Sequence, residues 1–261
     1  MRLGKKNFFV QIKYSDLAGN PENMENFFLG FGGELYLSAE EIDSYDFGLI
    51  AGINSFTRKN NLPLRLHAPI IDIDYSRAHT TISRMQKLYG GVLKLCRALD
   101  MRFVVAHAEF GCDPGFPPEK QFKNAVSLWR VINAGLGAYD IGLNIENHCE
   151  IEPDYLIGLM REVASPRFGM CFDVGHSNAF GKPGIEAWLA RYPAGSIAEV
   201  HLNDNAGDGD THLPLGSGNI DFEAFFGALQ ARRENCVFVL EPRNITEARK
   251  SISFLKKKGI L

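Results

Sequence analysis

The segment spanning residues 169–204 opens with Gly169-Met170-Cys171-Phe172-Asp173-Val174-Gly175-His176 and closes with Ala198-Glu199-Val200-His201-Leu202-Asn203-Asp204. In both places a short apolar run ends in an acid or an imidazole, and an amphipathic segment lies between them. The same unit recurs along the chain. Candidate strands are Phe8–Ile12, Glu34–Leu37, Leu64–His67, Phe103–His107, Gly142–Glu146, Gly169–Asp173, Ala198–Leu202 and Val237–Glu241. Between them apolar residues follow helical spacing after a start signal, as with Ser76 before Ile82, Met85, Tyr89 and Val92, and Asp221 before Phe222, Phe225, Phe226 and Leu229. Eight such units of roughly 33 residues use the whole chain and leave no linker, which predicts one α/β domain over residues 1–261, a closed (β/α)8 barrel.

Composition agrees with a large globular core. Of 261 residues 45% are hydrophobic and 23% charged, which argues against disorder or a fibrous repeat. Lys and Arg number 28 against 31 Asp and Glu, a formal charge of -3, so no global footprint for nucleic acid or anionic lipid is present. No run approaches the ~20 apolar residues of a membrane span, and Met1 to Val10 lacks a signal-type apolar core, so a soluble, unprocessed chain with no membrane partner is expected. Cys96, Cys112, Cys149, Cys171 and Cys236 are odd in number and scattered, which fits reduced thiols and a cytoplasmic location.

In a parallel barrel the residue that closes a strand faces the top of the barrel, where side chains from several strands converge. Here those residues are His67, His107, Glu146, Asp173 with His176, His201, and Glu241 with Arg243. One such residue alone is more often a hydrogen-bonded loop residue or a helix cap. Six strands repeating the pattern are another matter, because five of the seven histidines (His67, His107, His176, His201 and His212) fall at strand ends or in the loop after strand seven. Mixed imidazole and carboxylate donors suit zinc or manganese, whereas magnesium or calcium would draw mainly on oxygen.

The series His67, His107, Glu146, Asp173-Val174-Gly175-His176, His201-Leu202-Asn203-Asp204, Asp210-Thr211-His212 through Gly218-Asn219-Ile220-Asp221, and Glu241 resembles the xylose isomerase-like TIM barrel superfamily. That superfamily holds sugar and sugar-phosphate isomerases and epimerases together with the endonuclease IV type of abasic-site nuclease, the AP endonuclease 2 family. The resemblance implies a metal held by Glu146, Asp173, His201 and Glu241. In the nuclease branch three zinc ions draw in addition on His67, His107, His176, Asp210 and His212, and each of these positions is matched here. Other features favour the sugar branch. Ile70 and Ile71 stand where a DNA-penetrating aromatic belongs, and basic residues are sparse in the strand-end loops. An Arg frequent in the sugar branch has no counterpart between Asn203 and Gly209.

The expected protein is therefore a metal-dependent isomerase or epimerase using one to three zinc or manganese ions and acting on a small sugar or sugar phosphate. Nucleic acid is disfavoured as a partner, and the oligomeric state is left open. Glu146 and Glu241 serve as acid and base as well as ligands, and by resemblance His176 contacts a substrate oxygen. His67, His107 and Arg243 bind substrate, and Arg243, two residues beyond Glu241, is equally open to a salt bridge with a neighbouring loop. The alternative is an endonuclease IV-like phosphodiesterase, and a metabolite-binding sensor is the non-enzymatic reading. Three smaller expectations concern other residues. His148 and Glu150 serve a solvated loop, the glycines from Gly207 to Gly218 give a loop flexible around ligands, and most of the phenylalanines Phe27, Phe28, Phe31, Phe47, Phe222, Phe225 and Phe226 pack helices onto the barrel.

Overall fold

The computed structural model describes residues 3–108 and 117–261, so Cys112 lies outside the described residues. Strands β1 (Phe8–Lys13), β2 (Gly32–Tyr36), β3 (Leu64–His67), β4 (Phe103–His107), β5 (Gly142–Glu146), β6 (Phe168–Asp173), β7 (Ile197–Leu202) and β8 (Val237–Leu240) close into one parallel barrel in sequence order. Pairing of β1 with β8, Val10 opposite Leu240, completes the ring. The strands read as nearly continuous buried runs because both faces are covered, the inner by one another and the outer by helices.

The helices are α1 (Tyr14–Gly19), α2 (Met24–Phe28), α3 (Ala39–Ser44), α4 (Phe47–Asn60), α5 (Ala78–Ala98), α6 (Glu119–Gly137), α7 (Asp154–Val163), α8 (Val174–Ala179), α9 (Gly184–Arg191), α10 (Phe222–Arg232) and α11 (Ile245–Lys257). Helix α5 buries Thr81, Met85, Tyr89, Val92 and Cys96, a stripe at three- and four-residue spacing that seats it on the sheet. Its start departs from expectation. Ser76 is not the N-cap; it hydrogen-bonds Asp74 in a local turn, and Arg77 precedes the helix without a side-chain cap. Asp221 does cap α10, accepting the N–H groups of Glu223 and Ala224.

Phe28, Phe31, Phe222, Phe225 and Phe226 are buried and Phe27 packs at the edge of the core. Phe47 is the exception. It opens α4 at 78% exposure, because the buried stripe of that helix is Ile50, Ile53 and Thr57. Cys96, Cys149, Cys171 and Cys236 are buried. Among the described residues no helix is long and apolar enough to cross a membrane.

The barrel interior is polar at two levels. Alternate residues of a strand face the same side, so Arg65 and His67, Asn144 and Glu146, and Glu199 and His201 all point inward from β3, β5 and β7. Contacts between strands that are not neighbours prove the direction. Arg65 reaches Glu199 at 2.6 Å, Asn144 donates to Glu199 at 2.8 Å, and one level higher His67 and His201 both meet Glu146.

Candidate metal centre

Glu146 is the hub of the upper level. Its side chain is fully buried, with Oε2 3.1 Å from His67 Nε2 and 3.3 Å from His107 Nε2. Its Oε1 lies 3.3 Å from both His176 Nδ1 and His201 Nδ1. His201 Nδ1 is also 3.0 Å from Glu241 Oε1. Two groups of donor atoms result, each close enough to share one ion: His67, Glu146, His201 and Glu241 in the first, and Glu146, Asp173 and His176 in the second. Asp173 therefore joins the expected quartet through Glu146 and not through a single four-residue set. A third group, His176, Asp210 and His212, sits beside them toward the mouth.

Hydrogen bonding sets the tautomers of three of these rings. His67 donates Nδ1–H to the Ala68 carbonyl at 2.9 Å, His176 donates Nδ1–H to the Asn147 carbonyl at 2.9 Å, and His212 donates Nδ1–H to the Glu241 carbonyl at 3.1 Å. With that proton spent on a carbonyl, the neutral ring offers a lone pair at Nε2. Each Nε2 points at a carboxylate: His67 at Glu146, and His176 and His212 at Asp210, at 3.4 and 3.1 Å. Two lone pairs facing each other at that distance require a cation between them, a proton or a metal ion. Fixing the tautomer from outside is the arrangement that metal-ligating histidines generally show.

The rest of the chemistry agrees. Among the described residues both ring nitrogens of fully buried His201 and the Oε1 of Glu146 find no hydrogen-bond partner, although charged partners lie within 3.4 Å. Burial works to raise the pKa of Glu146, but the His201 and His107 charges outweigh it and hold the carboxyl well below the usual range. Glu241 is lowered in the same way, chiefly by His201 working against burial. Asp173 goes the other way, burial pushing it up to about 7 against the pull of His176. At the mouth, burial opposes the charged form of His212, yet its bond to Asp210 and the nearby Glu241 raise it to about 9. A buried set of imidazoles and carboxylates that attract charge so strongly fits a zinc- or manganese-type ion.

Local sequence places these groups. Asp173 caps α8 by accepting the His176 N–H at 2.5 Å, which swings His176 into the centre one turn after the strand. Gly175 sits against Asn203, where a β-carbon would stand 1.7 Å from Asn203 Oδ1. Asn203 donates from Nδ2 to Asp173 at 2.9 Å and to Glu241 at 3.2 Å, tying two acids together. The loop after β7 is anchored. The Asp204 carboxylate accepts the N–H groups of Asn205, Gly216, Gly218 and Ile220, and a β-carbon on Gly218 would come within 2.2 Å of the Asn205 carbonyl oxygen. Gly216 and Gly218 serve that close packing, whereas a β-carbon on Gly209 would meet nothing within 4 Å. His212 is held there at φ 45°, a left-handed backbone unusual for a residue other than glycine.

A pocket of about 350 Å³ opens above the centre, lined at its rim by Lys13, Tyr36, Ile70, His148, Thr211 and Arg243. Arg243 stands at the mouth, but its guanidinium is paired twice with Glu247, at 3.0 and 2.8 Å, which is the salt-bridge arrangement. His148 and Glu150 depart from the solvated-loop expectation. The His148 ring lies 4.6 Å from that of His107 and 4.9 Å from that of His176, and Glu150 is buried beneath, accepting the His148 N–H at 2.7 Å. Sequence reasoning also passed over Gln11, Glu34 and Asn203. The usable signal was a charged or amide residue inside an apolar strand, as in Gly33-Glu34-Leu35, where both faces of the strand are covered.

Against known families, residues 28–258 match the model of the xylose isomerase-like TIM barrel. The chain belongs to that family. Among curated relatives of this xylose isomerase-like chain is the uncharacterised protein MJ1311 of Methanocaldococcus jannaschii, 27% identical over 206 residues, covering 74% of this chain and 68% of the relative. Solved structures with the same barrel include a D-tagatose 3-epimerase-like protein at 24% identity and TM-score 0.75, covering 96% of each chain. The TTHB071 protein from Thermus thermophilus, soaked with ZnCl2, superposes at TM-score 0.77 and 23% identity, covering 96% of this chain and 97% of that one. At this identity the likeness establishes the shared fold.

Proposed function

We propose that this xylose isomerase-like barrel is a divalent-metal-dependent sugar or sugar-phosphate isomerase or epimerase. The observation that carries the reading is the set of three imidazoles, His67, His176 and His212, whose Nδ1–H groups are spent on carbonyls so that Nε2 faces a carboxylate, the buried Glu146 for His67 and the mouth residue Asp210 for the other two. The donors fit zinc or manganese, with Glu146, Asp173, His201 and Glu241 as ligands. His67, His107, His176, Asp210 and His212 stand ready for substrate oxygens or for further ions. The epimerase names carried by several proteins of the same fold point the same way.

A bound ion supplies Lewis-acid polarisation of a carbonyl, which lowers the cost of the enediolate in a proton transfer. The chain's own residues do the rest. Glu146 and Glu241 approach His201 from β5 and β8, so two carboxylates border one small volume and are placed to take and return the substrate proton. His176 presents Nε2 toward Asp210 at the mouth, where it orients a substrate oxygen, while the His148 ring beside it and His107 closes the side of the pocket.

A second reading, a trinuclear phosphodiesterase of the endonuclease IV type, is favoured by one observation, the convergence of His176, Asp210 and His212 into a further donor group. Ile70, 48% exposed at the pocket rim, argues against it as a poor wedge for a base stack. The deciding experiment incubates the metal-loaded chain with a panel of ketoses and their phosphates in deuterated water. Deuterium gained at a carbon next to the carbonyl supports the isomerase. No exchange on any sugar, together with nicking of an abasic duplex and about three zinc ions per chain, overturns it.

A further inference from the structure

His201 differs from the other rings of the centre. His67, His176 and His212 each fix their tautomer on a backbone carbonyl, whereas no hydrogen bond to a carbonyl holds His201. What faces its outer nitrogen is a carboxylate from below. Glu34, on β2 and fully buried, places Oε1 3.4 Å from His201 Nε2, while Nδ1 on the other side of the ring meets Glu241 at 3.0 Å and Glu146 at 3.3 Å. The approach to Glu34 is a close ion-pair contact and not an aligned hydrogen bond.

Glu34 is itself held in place. Gln11 Nε2 lies 3.4 Å from Glu34 Oε1 and also donates to Glu241 Oε1, so one amide spans the acid below the ring and the acid beside it. The neighbouring acid of the lower level, Glu199, is engaged by Arg65 and Asn144, which leaves Glu34 as the carboxylate that can answer His201. Among the described residues Glu34 Oε2 has no hydrogen-bond partner. Such an acid is costly to bury unless it serves a charged or donating partner.

We propose that Glu34 is the positioning residue of the centre: it holds the proton of His201 on Nε2, so that Nδ1 is presented to the metal between Glu146 and Glu241. The inference rests on the metal-dependent reading of the site. A carboxylate behind a ligating imidazole fixes the ring's orientation and makes the inner nitrogen a stronger donor, and its loss typically weakens metal binding about 10- to 100-fold.

The test uses the full chain, zinc as the probe, and competition with a chelator. Glu34→Gln, nearly isosteric, is expected to bind the same number of zinc ions as the unaltered chain with about 10- to 100-fold weaker affinity. Glu34→Asp, which keeps the charge, is expected to recover part of that loss. A purely structural role would lower the melting temperature of metal-stripped Glu34→Gln and leave its zinc affinity alone, which would overturn the proposal. So would the loss of a whole equivalent of zinc, since Glu34 would then be a ligand. The ¹⁵N shifts of His201 in the zinc-loaded unaltered chain give a check that needs no variant: protonated Nε2 is expected, and protonated Nδ1 overturns the assignment. If the unaltered chain binds no zinc or manganese at all, the metal reading itself has failed, an outcome distinct from equal affinity in the variant.

Discussion

Two polar levels, one above the other, share the inside of this barrel and solve the problem of buried charge in opposite ways. In the lower one Arg65 meets Glu199 through two nitrogens at 2.6 and 2.7 Å, Asn144 adds a bond at 2.8 Å, and the guanidinium lies near the rings of Phe9 and Phe103. Its charges cancel within the protein. In the upper one the acids Glu146, Glu241 and Asp210 meet imidazole nitrogens, and no Arg or Lys makes an ion pair with them among the described residues. The Arg65–Glu199 pair is complete as built, whereas the upper level gathers donor groups that could hold added cations. Burial alone therefore does not mark a functional acid; the kind of partner does.

The largest expected effect breaks the upper level. Glu146→Gln removes the charge that touches four imidazoles; under the proposed function it removes a ligand and a proton carrier together, so metal content should fall and activity with it, by at least about 100-fold. Circular dichroism should show an intact barrel, because the packed core lies outside this face. Full metal occupancy in Glu146→Gln and Glu241→Gln would contradict the assignment.

Breaking the lower level should do the reverse. Arg65→Met strands Glu199 in the interior without its countercharge, which costs about 3–5 kcal/mol when a buried pair loses one partner. Zinc per folded chain should stay constant. Denaturant unfolding and metal analysis on the same preparation separate the two levels. A variant that is stable but metal-poor would mean the lower level serves the ion directly.

His212→Ala sharpens the comparison within the upper level. His212 and Asp210 form with His176 a donor group nearer the mouth, so the expected result is a lower metal-to-protein ratio with the inner group retained. If the ratio holds and only KM rises, these residues bind substrate.

The order of strands and their polar endings were legible because in a parallel barrel both come from one signal, an apolar run stopped by a side chain aimed at the top. Predicted Leu64–His67, Phe103–His107 and Gly142–Glu146 coincide with β3, β4 and β5. What stayed hidden depends on tertiary approach. Ser76 has the chemistry of a cap, but Asp74 two residues away takes its hydrogen bond. Arg65, Glu34 and Glu199 sit in apolar runs, and only closure of the barrel shows that they meet. Arg243 was placed at the right rim by period two, while its bond to Glu247 depends on the start of α11. The anchoring of the loop by Asp204 rests on four backbone N–H groups, which no residue pattern announces.

The smallest expected effect concerns the rim of the upper level in metal-stripped protein. His212 is raised to about 9: burial opposes the charged form, and Asp210 with Glu241 more than offsets it. A group whose folded pKa lies above its unfolded value stabilises the fold fully below the unfolded value, here 6.5, and that contribution disappears as pH rises through about 9. The pair is partly open to solvent, so the change should stay within about 1 kcal/mol. Melting temperatures of the stripped chain between pH 6 and pH 10 should therefore decline more steeply than those of His212→Ala. With zinc bound the slope should reverse toward lower pH, since protons then compete with the metal for the same nitrogens. Identical slopes in the two stripped proteins would place His212 outside the charge balance of the centre.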